Sequence, residues 1–341
     1  CLGSRCPFVD SCYYLSMRRH AQQADIVIAN HHLLLADLSV REAVEADIDM
    51  AVLPRYDCVV FDEAHRLGDI VHEYLGDLVS TTQIERALRR LWRRPASKSS
   101  GPETGTLIRL VHVLSSTDGI PQLSRSRALS IINTSLVGNI ARALDLVSSL
   151  RAKLAGFFAS VPEEEQTSAI RLTRELLGDP LFRRVNDEVD KLVFVIEEIA
   201  QQLDEVHRHV VPYEEDLDRA EPGLCQEIRA LSERCSSQAT VLRSVVKPPL
   251  ESSVHWIDRT GTAQRSNYVF HSAPVELGSS FVDSVLSRLS SAVFTSATLT
   301  VQGSFDFFKR SLGMDTLPTA RFIERSSESP FDFKNQVLLC V

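Results

Sequence analysis

No apolar stretch in these 341 residues approaches the ~18–20 positions that a membrane-spanning helix needs. The longest runs, such as Leu192–Ile196, are broken by charge within a few positions. A secretory leader is also lacking. No Gly is followed by Lys, so the chain has no GxxxxGK[ST] loop to grip a polyphosphate. Excess positive charge is missing too: the formal net charge of −8 argues against a protein that coats nucleic acid through bulk charge. It leaves a local basic channel open. No internal repeat is visible. There is no initiator Met, since Cys1 stands first, and Gln336–Val341 ends in what reads as a strand. The expectation is part of a longer protein.

Hydrophobic content of 44% and charged content of 24% are ordinary for a globular chain. The length suggests about two domains at ~150 residues each. Asp25–Ala29 (DIVIA) reads as a short strand that ends in the polar turn Asn30-His31-His32 before a short helix. Tyr56–Phe61 reads as the next strand, rich in β-formers. Thr81–Trp92 reads as a helix and 94–106 as a loop. Ser126–Phe158, Glu163–Leu177, Phe182–Val210 and Gly223–Val245 carry apolar residues at three-to-four spacing. In the third, Val185, Val189, Leu192, Val193, Ile196, Ile199 and Leu203 form one stripe. The pattern predicts a long helical block without strands. After Pro248-Pro249, Val254–Ile257 and Tyr268–His271 predict a hairpin around Thr260-Gly261. A short helix over Phe281–Leu289, a strand over Ala292–Phe294 and a helix over Phe305–Leu312 follow, and Ser329-Pro330-Phe331 precedes a final strand.

Two clusters carry chemistry. Cys58-Val59-Val60-Phe61 runs into Asp62-Glu63-Ala64-His65, and Val293-Phe294-Thr295 runs into Ser296-Ala297-Thr298. A nucleotide hydrolase needs one carboxylate at a strand end to hold Mg²⁺, usually through water, and a second to orient the attacking water. Asp62 fits the first role and Glu63 the second. His65 would face the later motif, where Ser296 and Thr298 can hydrogen-bond across to it. The bland alternative is a surface acidic turn and an ordinary strand end. Asp62 and Ser296 are 234 positions apart. A strand–helix–strand unit needs only about 30 residues, so roughly 200 belong to an inserted module.

Cys1, Cys6 and Cys12 put three thiols in twelve residues. An iron–sulfur cluster, a zinc site closed by His20 or His31, and free thiols all remain open on spacing alone. Cys58, Cys225, Cys235 and Cys340 read as packing residues. Arg86, Arg89, Arg90, Arg93 and Arg94, with Trp92 among them, form the densest basic run. A solvated helix face and a nucleic-acid or inter-domain contact both account for it.

Together, CLGSRCPFVDSCYY (Cys1–Tyr14), ADIVIANHHLLLADL (Ala24–Leu38), VVFDEAHRL (Val59–Leu67), SAPVELG (Ser272–Gly278), VFTSATL (Val293–Leu299) and SPFDF (Ser329–Phe333) resemble the XPD/DinG-like branch of superfamily 2 DNA helicases, closest to its bacterial DinG/YoaA group. The resemblance implies an α/β fold: a partial RecA-like motor domain interrupted by part of an iron–sulfur domain and a large all-helical Arch insertion. It implies residues 1–24 as the end of a 4Fe-4S domain, 25–77 as motor domain 1, 78–250 as the Arch, 251–305 as motor domain 1 continued and 306–341 as the start of motor domain 2. Cys1, Cys6 and Cys12 would be three cluster ligands, with the fourth upstream. ATP would be the substrate with Mg²⁺, and Asp62, Glu63, His65, Ser296 and Thr298 the catalytic set. The implied partners are single-stranded and forked DNA, with no membrane, for a monomeric 5′→3′ motor in the bacterial cytoplasm, associated with the nucleoid. Arg5, Tyr13, Tyr14, Arg18 and Arg19 are candidates for strand contact, and Asn30 and His31 for the motor–cluster junction. The phosphate grip is absent and the second lobe almost wholly missing, so the chain alone is expected to be inactive. Rivals are a non-catalytic cluster-bearing DNA-binding module and the motor of a helicase–nuclease.

Overall fold

The structure, a computed structural model, describes residues 6, 8–43, 52–95, 102–117, 119–161, 168–247, 253–261, 266–274 and 277–327. In chain order the elements are α1 (Tyr13–Gln23), α2 (His31–Ala43), β1 (Cys58–Phe61), α3 (Leu67–Leu75), β2 (Asp77–Ser80), α4 (Thr81–Leu91), α5 (Thr106–Ser116), α6 (Gln122–Ile131), α7 (Val137–Ser160), β3 (Ala169–Arg171), α8 (Arg174–Gly178), α9 (Pro180–Val210), α10 (Glu214–Ala220), α11 (Leu224–Val246), β4 (Ser253–Thr260), β5 (Asn267–Pro274), α12 (Leu277–Ser284), β6 (Ser291–Phe294) and α13 (Asp306–Ser311). The protein is mixed α/β. It divides into two compact units, one of Cys1–Val27 with Glu73–Val275, the other of Ile28–His72 with Glu276–Val341.

The larger unit is built on α9. Asp179 caps its start by accepting from the amides of Leu181 and Phe182, and Pro180 occupies the first turn, where a missing N–H costs nothing. All seven residues of the expected stripe are buried, and α9 packs on α7 and α11. The stripe was legible because helical periodicity fixes which face seeks a core. α4 opens with a reciprocal capping box between Ser80 and Gln83.

This unit is not all-helical, which corrects the sequence expectation. β2, β5, β4 and β3 form a four-stranded antiparallel sheet in that order. The expected hairpin is present, with Trp256 opposite His271 and Ile257 opposite Phe270. Its neighbours are β2 and β3, however, so residues 253–274 lie with the helices rather than continuing the sheet that holds Cys58–Phe61. The physical reason is the sheet's apolar face: His255, Ile257, Tyr268 and Phe270 alternate inward, and Tyr268 meets Phe158 of α7 at 5.4 Å. Residues 169–171, expected within a helix, form β3 because Leu172 and Arg259 complete the ladder to β4 and its flank.

In the smaller unit β1 pairs in parallel with β6, Cys58 opposite Ser291 through Phe61 opposite Phe294. Parallel neighbours need a crossover of a dozen residues or more. Here it is a whole folded unit. Phe61 stacks on Phe294 with centroids 5.0 Å apart, and Phe281 of α12 and Phe308 of α13 close around the pair. Leu312 and Met314 are buried as well, so residues 306–316 pack with this core.

The strand expected at 25–29 is not formed. Ile26 and Ile28 are largely exposed, and no described strand lies alongside to take the ladder bonds. Cys225 and Cys235 are buried as expected, whereas Cys58 is exposed and its Sγ accepts from Ser291 Oγ at 3.1 Å. Cys340 and the final strand lie outside the described residues.

Candidate functional site

The parallel register carries the ends of β1 and β6 to the same level. Thr295 N donates to Phe61 O at 2.9 Å, and Ala64 N donates to Thr295 O at 3.0 Å. The two polar turns are thus stitched together by backbone, at the carboxyl ends of parallel strands where open α/β sheets bind ligands. Glu63 sits in the left-handed region at φ 49°, ψ 43°. A residue with a Cβ adopts this at a cost of about 1–3 kcal/mol and holds it only where its surroundings over-determine it. Here Asp62 Oδ1 accepts the Glu63 amide at 3.0 Å, and Arg66 N closes onto Glu63 O.

The side chains converge. His65 Nδ1 lies 2.8 Å from Ser296 Oγ and 3.2 Å from Glu63 Oε2. Ser296 Oγ donates to Glu63 Oε2 at 3.4 Å and accepts the Thr298 amide at 3.3 Å. With Ser296 donating to the carboxylate, His65 must carry its proton on Nδ1 to complete the triangle. Ser296 is half-buried, while Asp62, Glu63, His65 and Thr298 are exposed. Three of the five expected site residues, Glu63, His65 and Ser296, are therefore linked side chain to side chain, and Asp62 joins through its Oδ1 on the Glu63 amide. Thr298 joins through its backbone. A carboxylate, an imidazole and a hydroxyl in one chain of hydrogen bonds can orient a water and pass a proton shift across the strand ends.

The cysteines are less complete. Cys6 and Cys12 flank one short turn, Val9–Ser11, with Val9 N on Cys6 O and Cys12 N on Val9 O. Cys1 lies outside the described residues. Among the described residues no three His, Cys, Asp or Glu side chains gather as a metal-binding group. The described thiols, Cys6 and Cys12, do not by themselves make up a four-thiolate cluster site.

Two of the five arginines of the basic run, and its tryptophan, are committed within the fold. Arg89 Nε pairs with Glu85 at 2.7 Å, Arg90 Nε with Glu227 at 2.7 Å, and Trp92 is buried with its Nε1 on Glu103. Arg86, Arg93 and Arg94 are exposed. On α1, no residue is buried; Tyr13 and Met17 are exposed, and Arg18 lies over the Tyr14 ring. Arg5 lies outside the described residues. Asn30 accepts the Leu33 amide at the start of α2, and the His31 ring stands 6.1 Å from that of Phe61.

Residues 4–84 match the family model DEAD_2. Over its whole length the chain is 24% identical to the ATP-dependent DNA helicase YoaA of Haemophilus influenzae and to that of Escherichia coli, covering 42% of each. The chain is thus similar to ATP-dependent DNA helicases of the DinG/YoaA kind. Another relative, the 3′-5′ exonuclease DinG of Bacillus subtilis, is 22% identical over 96% of this chain and 32% of its own length. The chain thus spans less than half the length of these relatives.

Sequence reasoning missed one group beside the site. The buried Asp37 and the half-buried Arg41 and Tyr56 form a polar knot at the entrance to β1. The one signal was an acidic residue inside the apolar run Leu33–Leu38.

Proposed function

We propose that this chain carries the hydrolytic and coupling half of an ATP-dependent DNA helicase motor. The observation that carries the reading is the triangle of Glu63, His65 and Ser296, built by residues more than 230 positions apart at the ends of two parallel strands. In it Glu63 would orient the attacking water, and Asp62 would hold Mg²⁺ through water. Mg²⁺ would supply charge neutralisation on the phosphates. His65 and Ser296 pass the state of Glu63 to the turn that carries Thr298.

Because no Gly precedes Lys here, the phosphate grip is not in this chain, and the chain alone is expected not to turn over ATP. The unit of 28–72 with 276–327 is read as the RecA-like motor part, and the helical unit with its small sheet as the Arch. Cys1, Cys6 and Cys12 are read as ligands of a 4Fe-4S cluster that takes a further thiolate from elsewhere. Single-stranded DNA, along which the motor would translocate 5′→3′ after the strand enters from a fork, would meet Tyr13, Tyr14, Arg18 and Arg19, since stacking rings with interleaved cations suit a single strand. The family resemblance supports these finer assignments; the names of the relatives support the coarser reading, an ATP-dependent DNA helicase.

The test is Glu63→Gln in the full-length protein. DNA-stimulated ATP hydrolysis should fall by at least about a hundredfold while ATP binding persists. Persistent turnover would remove the assignment.

A further inference from the structure

Helix α2 and strand β1 touch at both ends. At one end the His31 ring meets Phe61. At the other, α2 grips the segment that feeds β1. The Asp37 side chain is fully buried, and its Oδ1 accepts the Leu53 amide at 2.7 Å. Its Oδ2 accepts Arg41 Nε at 2.6 Å and the Tyr56 hydroxyl at 3.0 Å. Arg41 Nη2 donates to Leu53 O at 2.7 Å and Pro54 O at 2.9 Å, and the guanidinium lies 5.1 Å over the Tyr56 ring. The spans match: the ten residues from 31 to 41 advance about 15 Å as helix. The five from 56 to 61 advance about 17 Å as strand.

We propose that Asp37, Arg41 and Tyr56 are positioning residues that fix how far β1 advances along β6, and thereby where Asp62 and Glu63 stand against Ser296. β1 is only four residues long, and β6 is the one described strand beside it. Such a short ladder resists slippage weakly. A one-residue slip would turn Phe61 out of its aromatic cluster and carry Asp62 to the other face. For stability alone an apolar pair would serve as well as a buried ion pair, so a fully ligated carboxylate here is better explained by register. Burial, followed by the neighbouring Asp37 carboxylate, pushes the Tyr56 hydroxyl well above its usual range, so it stays a donor at any working pH. The knot lies outside the triangle and touches no reacting group.

The inference rests on the hydrolytic reading of Glu63, and one experiment separates the two. In the full-length protein, Tyr56→Phe keeps the ring under Arg41 and removes only the bond to Asp37. DNA-stimulated kcat should fall about tenfold with KM for ATP within about twofold, since small misplacement costs chemistry rather than binding. Arg41→Lys, which keeps the charge and loses the fork, should behave alike, and the melting temperature of Tyr56→Phe should barely move. Wild-type kcat in Tyr56→Phe, or a loss matched by the fraction unfolded, overturns the proposal. Glu63→Gln run in parallel is the reference. If it turns over ATP normally, the hydrolytic reading fails and takes this inference with it. If it is inactive while Tyr56→Phe is normal, only the inference fails.

Discussion

His65 Nδ1 stands 2.8 Å from Ser296 Oγ, although the two residues are 231 positions apart. The contact exists because β1 and β6 are in-register parallel neighbours and the Thr295 backbone clamps both sides of the turn between them. A hydroxyl placed between an imidazole and a carboxylate is suited to coupling, since changing the partner of either end changes the other. Ser296→Ala leaves the strands intact and cuts this link. In the full-length protein, unwinding and the DNA-stimulated part of ATP turnover should fall roughly three- to tenfold, the worth of one neutral hydrogen bond. Basal turnover should change less. Equal loss of basal and stimulated rates would show that Ser296 acts in hydrolysis itself and not in coupling.

The acid stability of the larger unit should follow three carboxylates. Burial alone would raise Glu188, Glu85 and Glu227, but hydrogen bonds from Lys153, from Arg151 and Arg89, and from Arg109 and Arg90 overrule it and hold all three below the ordinary 4.5. A carboxyl depressed in the fold contributes its stability above the unfolded value and loses it as pH falls through the folded one. Melting temperature should therefore be flat from pH 7 to about 5 and drop below about 4.5. Glu188→Gln should lower unfolding free energy at pH 7 by on the order of 1–3 kcal/mol, and with it the melting temperature, and flatten the drop. A slope as steep in the variant as in the parent would remove Glu188 from the account.

Two neighbours on α9 offer a packing test. Leu192 is fully buried in the stripe, whereas Phe194 is 57% exposed. Leu192→Ala should cost about 2–5 kcal/mol in denaturant unfolding. Phe194→Ala should stay within about 0.5 kcal/mol, although it deletes more apolar surface. A reversed order would mean that the stripe does not face the core.

Cys6 tests the metal assignment. If an iron–sulfur cluster is held by Cys1, Cys6 and Cys12, Cys6→Ser in the full-length protein should remove the broad visible absorption of such a centre and weaken unwinding more than ATP turnover. An unchanged spectrum, with zinc found by elemental analysis, would replace iron with zinc at this site.

Much of this protein was legible in the order of its residues. The α9 stripe, the Thr260-Gly261 hairpin and the two strand-plus-polar-cluster motifs were all visible, because side-chain period and turn chemistry are local properties. The spacing of Asp62 and Ser296 also announced an inserted module before any coordinates. Partner choice was not visible. Nothing in Val254–Ile257 or Tyr268–His271 says that their edges meet Asp77–Ser80 and Ala169–Arg171, and Asp25–Ala29 has the composition of a strand without a described neighbour to make it one. Periodicity tells a segment which face to bury, while hydrogen-bond edges are filled only by what the rest of the chain brings alongside. For the same reason the triangle of Glu63, His65 and Ser296 and the knot of Asp37, Arg41 and Tyr56 belong to the tertiary structure. The sequence determined which chemical groups were available; the parallel register of two four-residue strands decided which of them touch.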